Sequence, residues 1–358
     1  VHNKVWYFPL EDIEARDYRM FDRQMIEAFE YHNMDYEKIE VDVKANFIKD
    51  GWVMDGPTHA IFCISQAKIF IEKMMKGEVQ NGDILFFNDM WHFGLHPIQY
   101  AAQLSNIELK YAGYIHAGTF TKYDFAEPMK WWAENMEKSF FKLANLIFVA
   151  TKQPYNDIVE NGLIKDSQKI KVVSHPFDIK VFEKYKNIQK ENIVIFPHRL
   201  DPDKRPEEFL DLAEKMPNYK FIMTSGGKDI KNYPHLQLKI QLLGNVEIYN
   251  NLTKDEYYKI MAKCKVMFSS AVQENWGVAT YEAIHLGLIP ICPWRCSYPY
   301  YLPVSCLYTD RQVEYDVVPM IERIFTDSQR YDYILNKLGE RKDKGNSAKL
   351  MVKYLKTL

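Results

Sequence analysis

The sequence predicts an α/β protein made of two Rossmann-like domains facing across a cleft. Three observations carry this. Short apolar runs alternate with longer amphipathic stretches along most of the chain, the grammar of parallel strands joined by helices. The alternation pauses once, over a charged stretch at 177–191, and then restarts. The length of 358 residues suits two domains at roughly 150 residues each. With 47% apolar and 26% charged residues the composition is that of a globular protein, not a disordered chain, a collagen or a coiled coil. No apolar run approaches the roughly 18 residues of a spanning helix.

The elements follow in order. Val5-Trp6-Tyr7-Phe8 reads as a first strand. Residues 17–32 read as a helix with Met20, Met25, Ile26 and Phe29 on one stripe. Ile84-Leu85-Phe86-Phe87 is a continuous apolar run, as expected of a strand covered on both faces. Tyr111–Ile115, Leu146–Ala150 and Ile170–Val173 are further strands. After the pause come a strand at Ile193–Phe196, a helix at 206–216, and strands at Lys220–Met223 and Asn245–Tyr249. Thr253 and Glu256 form a capping box opening a helix at 254–263. A strand at Val266–Ser269, a helix through Thr280–Leu286 closed by Gly287, and a strand from Ile289 complete the series. The domains are therefore expected at 1–178 and 192–340. A linker at 179–191 joins them, and a C-terminal helix at 341–358 packs back on the first domain. In such sheets ligands bind beyond the carboxyl ends of the strands.

Charge and cysteine are less informative. Lys plus Arg total 46 and Asp plus Glu 48, a net charge of −2. That gives no global case for nucleic acid, although the balance can hide a local basic groove. The opening Val1–Trp6 lacks a signal-peptide core, and a cytoplasmic location is expected. The five cysteines form no Cys-x-x-Cys pair, so reduced, mostly buried thiols are expected, and no structural zinc. His92 and His96, four apart, have no evident third ligand. The high aromatic content reads as core, and Trp131-Trp132 as packing within a helix.

Two loops carry the chemistry. Phe196 is followed by Pro197-His198-Arg199-Leu200-Asp201-Pro202-Asp203-Lys204, which sets Arg199 and Lys204 on one short loop at a strand's carboxyl end. Two cations at this spacing suit a diphosphate, Arg through a planar fork and Lys as a point charge. The second loop, Ser269 to Ala283, leaves a buried strand and enters a helix. Its turn at Asn275-Trp276-Gly277 offers backbone N–H groups beside a helix N-terminus, which favours an anion. Glu274 precedes that helix and Glu282 lies within it. Gly226-Gly227-Lys228 lacks the first Gly and the final Ser or Thr of a phosphate-binding P-loop.

Two glutamates separated by seven residues around an aromatic-Gly step resemble the signature of retaining glycosyltransferases of the glycogen-synthase or group 1 type, which have the two-domain GT-B fold. Arg199 and Lys204 resemble their diphosphate-binding pair, and Val172–Phe182 looks like the segment ending the first domain. The resemblance covers about residues 84–310. It implies an acceptor-side first domain and a nucleotide-sugar-binding second domain. Glu274 would hold the donor sugar's hydroxyls, Glu282 the nucleotide ribose, and Asn275, Trp276, Gly277, Val278, Ala279 and Thr280 the sugar and phosphates. Tyr249 joins the donor side. His116 matches a histidine near the reacting centre. On the acceptor side stand Glu11, Arg16, Arg19 and Asp89. No Asp-x-Asp motif occurs, which fits a metal-independent enzyme whose only small-molecule partner is a nucleotide sugar, UDP-sugar favoured, with no cofactor.

One feature departs from the family: Phe8-Pro9-Leu10-Glu11-Asp12-Ile13-Glu14-Ala15-Arg16 replaces its Gly-rich first loop. Two narrower resemblances concern the acceptor. Phe196–Glu207 and Gly287–Pro299 are similar to queuosine-tRNA mannosyltransferase-like proteins. The opening Phe-Pro-Leu-Glu resembles bacteriophage glycosyltransferases, some of which decorate hydroxymethylated pyrimidines in DNA. These imply a hexose, glucose favoured, moved to a modified base, DNA ahead of RNA, in a phage-infected host's cytoplasm. A base in a duplex would have to be flipped out, and Arg16, Arg19, Arg23, Lys122 and Lys130 are candidates for a basic rim. The alternatives are a glycan, lipid or tRNA queuosine acceptor, and a non-catalytic sugar-nucleotide-binding protein.

Overall fold

The computed structural model describes residues 3–11, 18–43, 56–309, 313–341 and 345–358. The chain divides into two compact units, Val1–Asp178 with Gly345–Leu358, and Ile179–Lys344.

Unit 1 is built from β1 (Val5–Phe8), α1 (Tyr18–Tyr31), β2 (Tyr36–Lys38), α2 (Gly56–Met75), β3 (Ile84–Phe87), α3 (Leu95–Leu104), β4 (Lys110–Ile115), α4 (Lys130–Leu143), β5 (Leu146–Val149), α5 (Lys152–Glu160) and β6 (Ile170–Val172). All pairings in its sheet are parallel, in the order β2-β1-β3-β4-β5-β6. The apolar runs are buried along their whole length in β1, β3 and β5, because helices cover both faces. Phe8 lies opposite Phe87 in register and their rings stack at 4.5 Å.

Unit 2 runs through β7 (Glu191–Phe196), α6 (Pro206–Lys215), β8 (Lys220–Thr224), α7 (Pro234–Leu243), β9 (Val246–Tyr249), α8 (Lys254–Lys263), β10 (Cys264–Phe268), α9 (Val278–His285), β11 (Ile289–Pro293), β12 (Leu307–Tyr308), α10 (Val313–Thr326) and α11 (Ser328–Arg341). Its sheet is also parallel, in the order β12-β11-β10-β7-β8-β9. The predicted capping box opens α8: Thr253 Oγ1 accepts from the Glu256 N–H, and the Glu256 carboxylate accepts from the Thr253 N–H. The last helix, α12 (Ser347–Leu355), belongs to unit 1, where Met351, Val352 and Leu355 are buried.

The strand order positions the sites. From β7 the chain steps outward to β8 and β9, then crosses to the other side of β7 to lay down β10 and β11. The loops leaving β7 and β10 therefore diverge and open a crevice at the carboxyl ends, the switch point where open α/β sheets bind ligands. In unit 1 the same reversal falls between β1 and β3.

Two expectations change. The stretch 179–185 is a 3-10 helix whose Phe182 and Tyr185 are buried, with the Phe182 ring packed on Tyr258 and His285. The charges that mark it as a linker sit on its outer side. Trp131 and Trp132 are not packed: they are 86% and 42% exposed, because the buried positions of α4 are Ala133, Glu137, Phe140 and Phe141.

Candidate active site

At the unit 2 switch point the loop after β7 brings up Arg199 and Lys204. The Lys204 side chain is buried, and its Nζ donates to Gln273 O at 2.8 Å and lies 3.2 Å from Glu274 Oε2 and 3.1 Å from Asp203 Oδ2. Burial by itself would lower its pKa, but the Glu274 and Asp203 carboxylates outweigh that and raise it. Lys204 is thus a permanent cation tied to the loop after β10. Arg199 stands more open, 40% exposed, with Nη1 2.8 Å from Asp201 Oδ2. His198, directly before Arg199 in the chain, is buried on the Phe196 ring, and its Nε2 has no hydrogen-bond partner among the described residues. Burial, then Lys204 and Arg199, hold it far below the usual histidine range, so it is neutral.

The loop after β10 delivers Glu274 and then turns at Gly277 into α9. Gly277 has φ +85°, in the left-handed region, and a Cβ there would lie 2.8 Å from Tyr301 Oη and 3.2 Å from Thr280 Oγ1. Only glycine meets both conditions. The N–H groups of Thr280 and Tyr281 return to Gly277 O, while those of Val278 and Ala279, at the first turn, have no carbonyl within the helix. Behind the turn Trp276 stacks on Tyr281 at 4.2 Å, and Tyr281 packs on Tyr301 at 4.9 Å. Thr280 is buried. These contacts fix the direction in which the two N–H groups point, a geometry suited to an anion.

Not every candidate residue joins this cluster. Glu282 is buried and turned toward α8: its oxygens accept from Tyr257 Oη at 3.0 Å and Tyr258 Oη at 2.8 Å, with Lys254 Nζ at 3.1 Å. Any sugar hydroxyl reaching it would have to exchange with one of these. Tyr249 ends β9, at the sheet edge three strands from β10, and its hydroxyl donates to Glu247. The Gly-Gly step that fails as a P-loop does belong to the site. Gly226, at φ +58°, lies so close to Arg199 that a Cβ would come within 2.6 Å of its Cγ and 2.9 Å of its Cα, and Lys228 Nζ is 3.9 Å from Asp201 Oδ1. A glycine following a strand, next to a loop already suspected of holding phosphate, was the available signal. Arg295 and Ser297, which brace the loop after β10, lie within the Gly287–Pro299 stretch whose resemblance the sequence shows, but nothing in that stretch marks their bracing role.

The unit 1 candidates cluster at its own switch point. His116 directly follows β4, and its Nε2–H donates to Asn88 O at 3.0 Å, which leaves Nδ1 as the acceptor nitrogen. Burial, then neighbouring His175, pushes its pKa down to about 3. It is neutral near pH 7 and too weakly basic there for general-base work, but able to accept a hydroxyl. Asp89 is buried and accepts from the Trp91 N–H at 3.0 Å; burial pushes its carboxyl up to about 7. Glu11 faces inward and does not line an open surface, since its Oε1 lies 2.7 Å from His59 Nδ1. His59 Nε2 in turn is 3.6 Å from Cys63 Sγ. Arg16 and the side chain of Arg19 lie outside the described residues. Arg23 pairs with Asp178 at 2.7 Å, Lys122 sits over the Tyr123 ring, and Lys130 donates to Asn161. His92 and His96 turn to different partners, Gln66 and Ser139. All five cysteines are free.

Two doubly wound parallel sheets, each with a crevice at its reversal point, are the GT-B fold of the glycosyltransferases. Within that class, residues 178–302 match the family described as "Glycosyl transferases group 1", a stretch that contains both loops of the unit 2 crevice; the chain carries a group 1 glycosyltransferase domain. A tRNA-queuosine alpha-mannosyltransferase of Drosophila melanogaster is 32% identical over 124 residues, which make up 32% of this chain and 32% of that protein. The chain thus matches about a third of the curated relative's length. Sucrose-phosphate synthase from Thermosynechococcus elongatus superposes with a TM-score of 0.73 at 14% identity, covering 99% of this chain and 98% of that one. The catalytic domain of starch synthase IV from Arabidopsis thaliana, bound to ADP and acarbose, gives 0.70 at 10% identity, with 99% and 98% covered. At these identities the likeness is one of fold. Among the described residues no helix is long and apolar enough to cross a membrane.

Proposed function

We propose that the protein is a retaining, metal-independent hexosyltransferase that moves a hexose, glucose favoured, from a UDP-sugar to a hydroxyl on a modified nucleobase, first a hydroxymethylated pyrimidine in DNA. The observation that carries the donor half is the convergence, at one switch point, of Arg199 and Lys204 with Glu274 and the first N–H groups of α9. Departure of a nucleoside diphosphate concentrates negative charge on its outer phosphate. Fixed cations and N–H groups aimed at that point stabilise the transition state more than the ground state. Three carboxylates, Asp201, Asp203 and Glu274, already balance the three cations Arg199, Lys204 and Lys228, so the oriented N–H groups supply the unbalanced part of the field. Glu274, anchored by Lys204, would orient the sugar hydroxyls. In this reading the acceptor attacks on the face from which the diphosphate leaves, and the phosphate oxygen takes its proton.

A second acceptor has its own support: the match to a protein whose name is tRNA-queuosine alpha-mannosyltransferase favours a tRNA base and mannose. A panel of radiolabelled sugar nucleotides against hydroxymethylated DNA, unmodified DNA, tRNA and a glycan mixture separates these readings. Transfer to hydroxymethylated DNA alone is the expected result. Transfer to tRNA alone would establish the second reading, and transfer to the glycans would refute both.

A further inference from the structure

The segment from Ser269 to Glu274 is neither strand nor helix, yet each of its six carbonyls is held by a donor from elsewhere in unit 2. Tyr308 Oη donates to Ser269 O at 2.9 Å. Arg295 donates twice, from Nη2 to Ser270 O and from Nε to Ala271 O, both at 2.8 Å. Cys296 Sγ donates to Val272 O at 3.3 Å, Lys204 Nζ to Gln273 O at 2.8 Å, and the Ser297 N–H to Glu274 O at 3.1 Å. Four of these six bonds come from the three consecutive residues 295–297. The connection that provides them turns at Cys296, whose φ of 56° is in the left-handed region and unusual for a side-chain-bearing residue. A loop between strand and helix ordinarily leaves such carbonyls to water. Here a strained turn in the neighbouring connection is kept, and its effect is to hold this one loop.

Resting on the reading of this crevice as the sugar-nucleotide site, we propose that Arg295 is a positioning residue for glycosyl transfer. Its two bonds to the Ser270 and Ala271 carbonyls set the path of the loop, and with it the placement of Glu274 and of the N–H groups that follow Gly277. The guanidinium is suited to this because its N–H groups form a rigid planar fork that grips two adjacent carbonyls at once, whereas a lysine ammonium acts as a single flexible point. A shift of about 1 Å in groups that orient a reacting sugar can cost about 100-fold in rate.

The test compares wild type, R295A and R295K with whichever sugar nucleotide and acceptor the wild type uses. It measures kcat, donor KM, the thermal unfolding midpoint, and the ratio of donor hydrolysis to transfer. In R295A kcat should fall about 100-fold, with partial return on adding free guanidinium at concentrations that leave the wild type unaffected. R295K should recover only part of kcat, and in both variants hydrolysis should rise relative to transfer, because a misdirected sugar admits water. Loss of stability alone would lower the active fraction without moving that ratio. If R295A fails to fold, R295K decides. Wild-type kcat, KM and hydrolysis ratio in folded R295K, or in R295A, would overturn the proposal while leaving the glycosyltransferase reading intact. A wild type that turns over no sugar nucleotide would instead sink the reading beneath it.

Discussion

Replacing Lys204 by Met and Glu274 by Gln, singly and together, measures how tightly the two loops of the crevice are tied. The charges stand 3.2 Å apart, and the Lys204 side chain is only 8% exposed. At an effective dielectric of about 20 such a pair attracts by about 5 kcal/mol, an upper bound before desolvation is subtracted. The pair is not isolated, since Asp203 lies 3.1 Å from the same ammonium. The single changes should therefore be unequal. E274Q leaves Lys204 paired with Asp203 and should cost about 1–3 kcal/mol, the range for a bond to a charged group. K204M leaves two carboxylates facing each other, strands Gln273 O, and should cost about 3–5 kcal/mol. In the double variant one of the stranded charges is gone, so the costs should not add, with a coupling of about 1–3 kcal/mol. Urea unfolding of the four proteins, followed by circular dichroism and by hydrogen exchange of the α9 amides, gives the coupling. Additivity within about 0.5 kcal/mol, or an E274Q as costly as K204M, would refute the claim that Lys204 ties the loops together. Turnover separates function from folding: E274Q should lose far more rate than its stability loss accounts for.

Four further outcomes are expected. G277A should lose about 1–3 kcal/mol of stability and raise donor KM, and adding Y301F should recover the part due to the clash with the Tyr301 hydroxyl; an unchanged melting midpoint and KM would contradict the turn geometry. The Glu11–His59–Cys63 chain should give unit 1 a two-sided pH dependence. Burial would lower the His59 pKa, but Cys63 and Glu11 raise it to about 10, so its contribution is complete below the unfolded value and is lost as pH rises through about 10. Burial would raise the Cys63 pKa, but His92 and His59 lower it to about 6, so its contribution is complete above the unfolded value and is lost as pH falls through about 6. Urea midpoints across pH for wild type and C63S should differ on the acid limb, and superimposable profiles would exclude the ion pair. Turnover should survive EDTA, and loss restored by manganese or magnesium would contradict the protein-cation mechanism. Early product followed by NMR should keep the donor's anomeric configuration, and an inverted anomer would show that the pair of glutamates misled.

The fold was legible wherever burial on both faces forced a continuous apolar run, as in β1, β3, β5 and β7. It was illegible where burial was partial. β2, three residues of Tyr-Glu-Lys at the sheet edge, shows only intermediate burial and no apolar run. Phe182 and Tyr185 were hidden among lysines because a 3-10 turn brings only some residues inward. In the crevice, Arg199, Lys204 and Glu274 were legible because side chains that meet charge leave a spacing in the sequence. The orientation of Glu282 was not, since it depends on tyrosine hydroxyls of α8 more than twenty residues upstream. Arg295 acts on backbone carbonyls 24 and 25 residues away. A carbonyl has no sequence identity, so a partnership of that kind leaves no pattern to read.

The return of α12 to unit 1 has a consequence for how the chain acquires its structure during synthesis. Unit 2 is one uninterrupted stretch, Ile179–Lys344, whereas unit 1 takes its last fourteen residues, Gly345–Leu358, from beyond it. A ribosome has therefore finished every residue of unit 2 before it makes the helix that covers α1 and β5. Throughout that interval the unit 1 sheet has Phe148, which α12 meets through Tyr354, without its cover. The half made first is the half completed last, and a chain that ends at residue 344 and has left the ribosome should carry a closed second half beside a first half still open to chaperones.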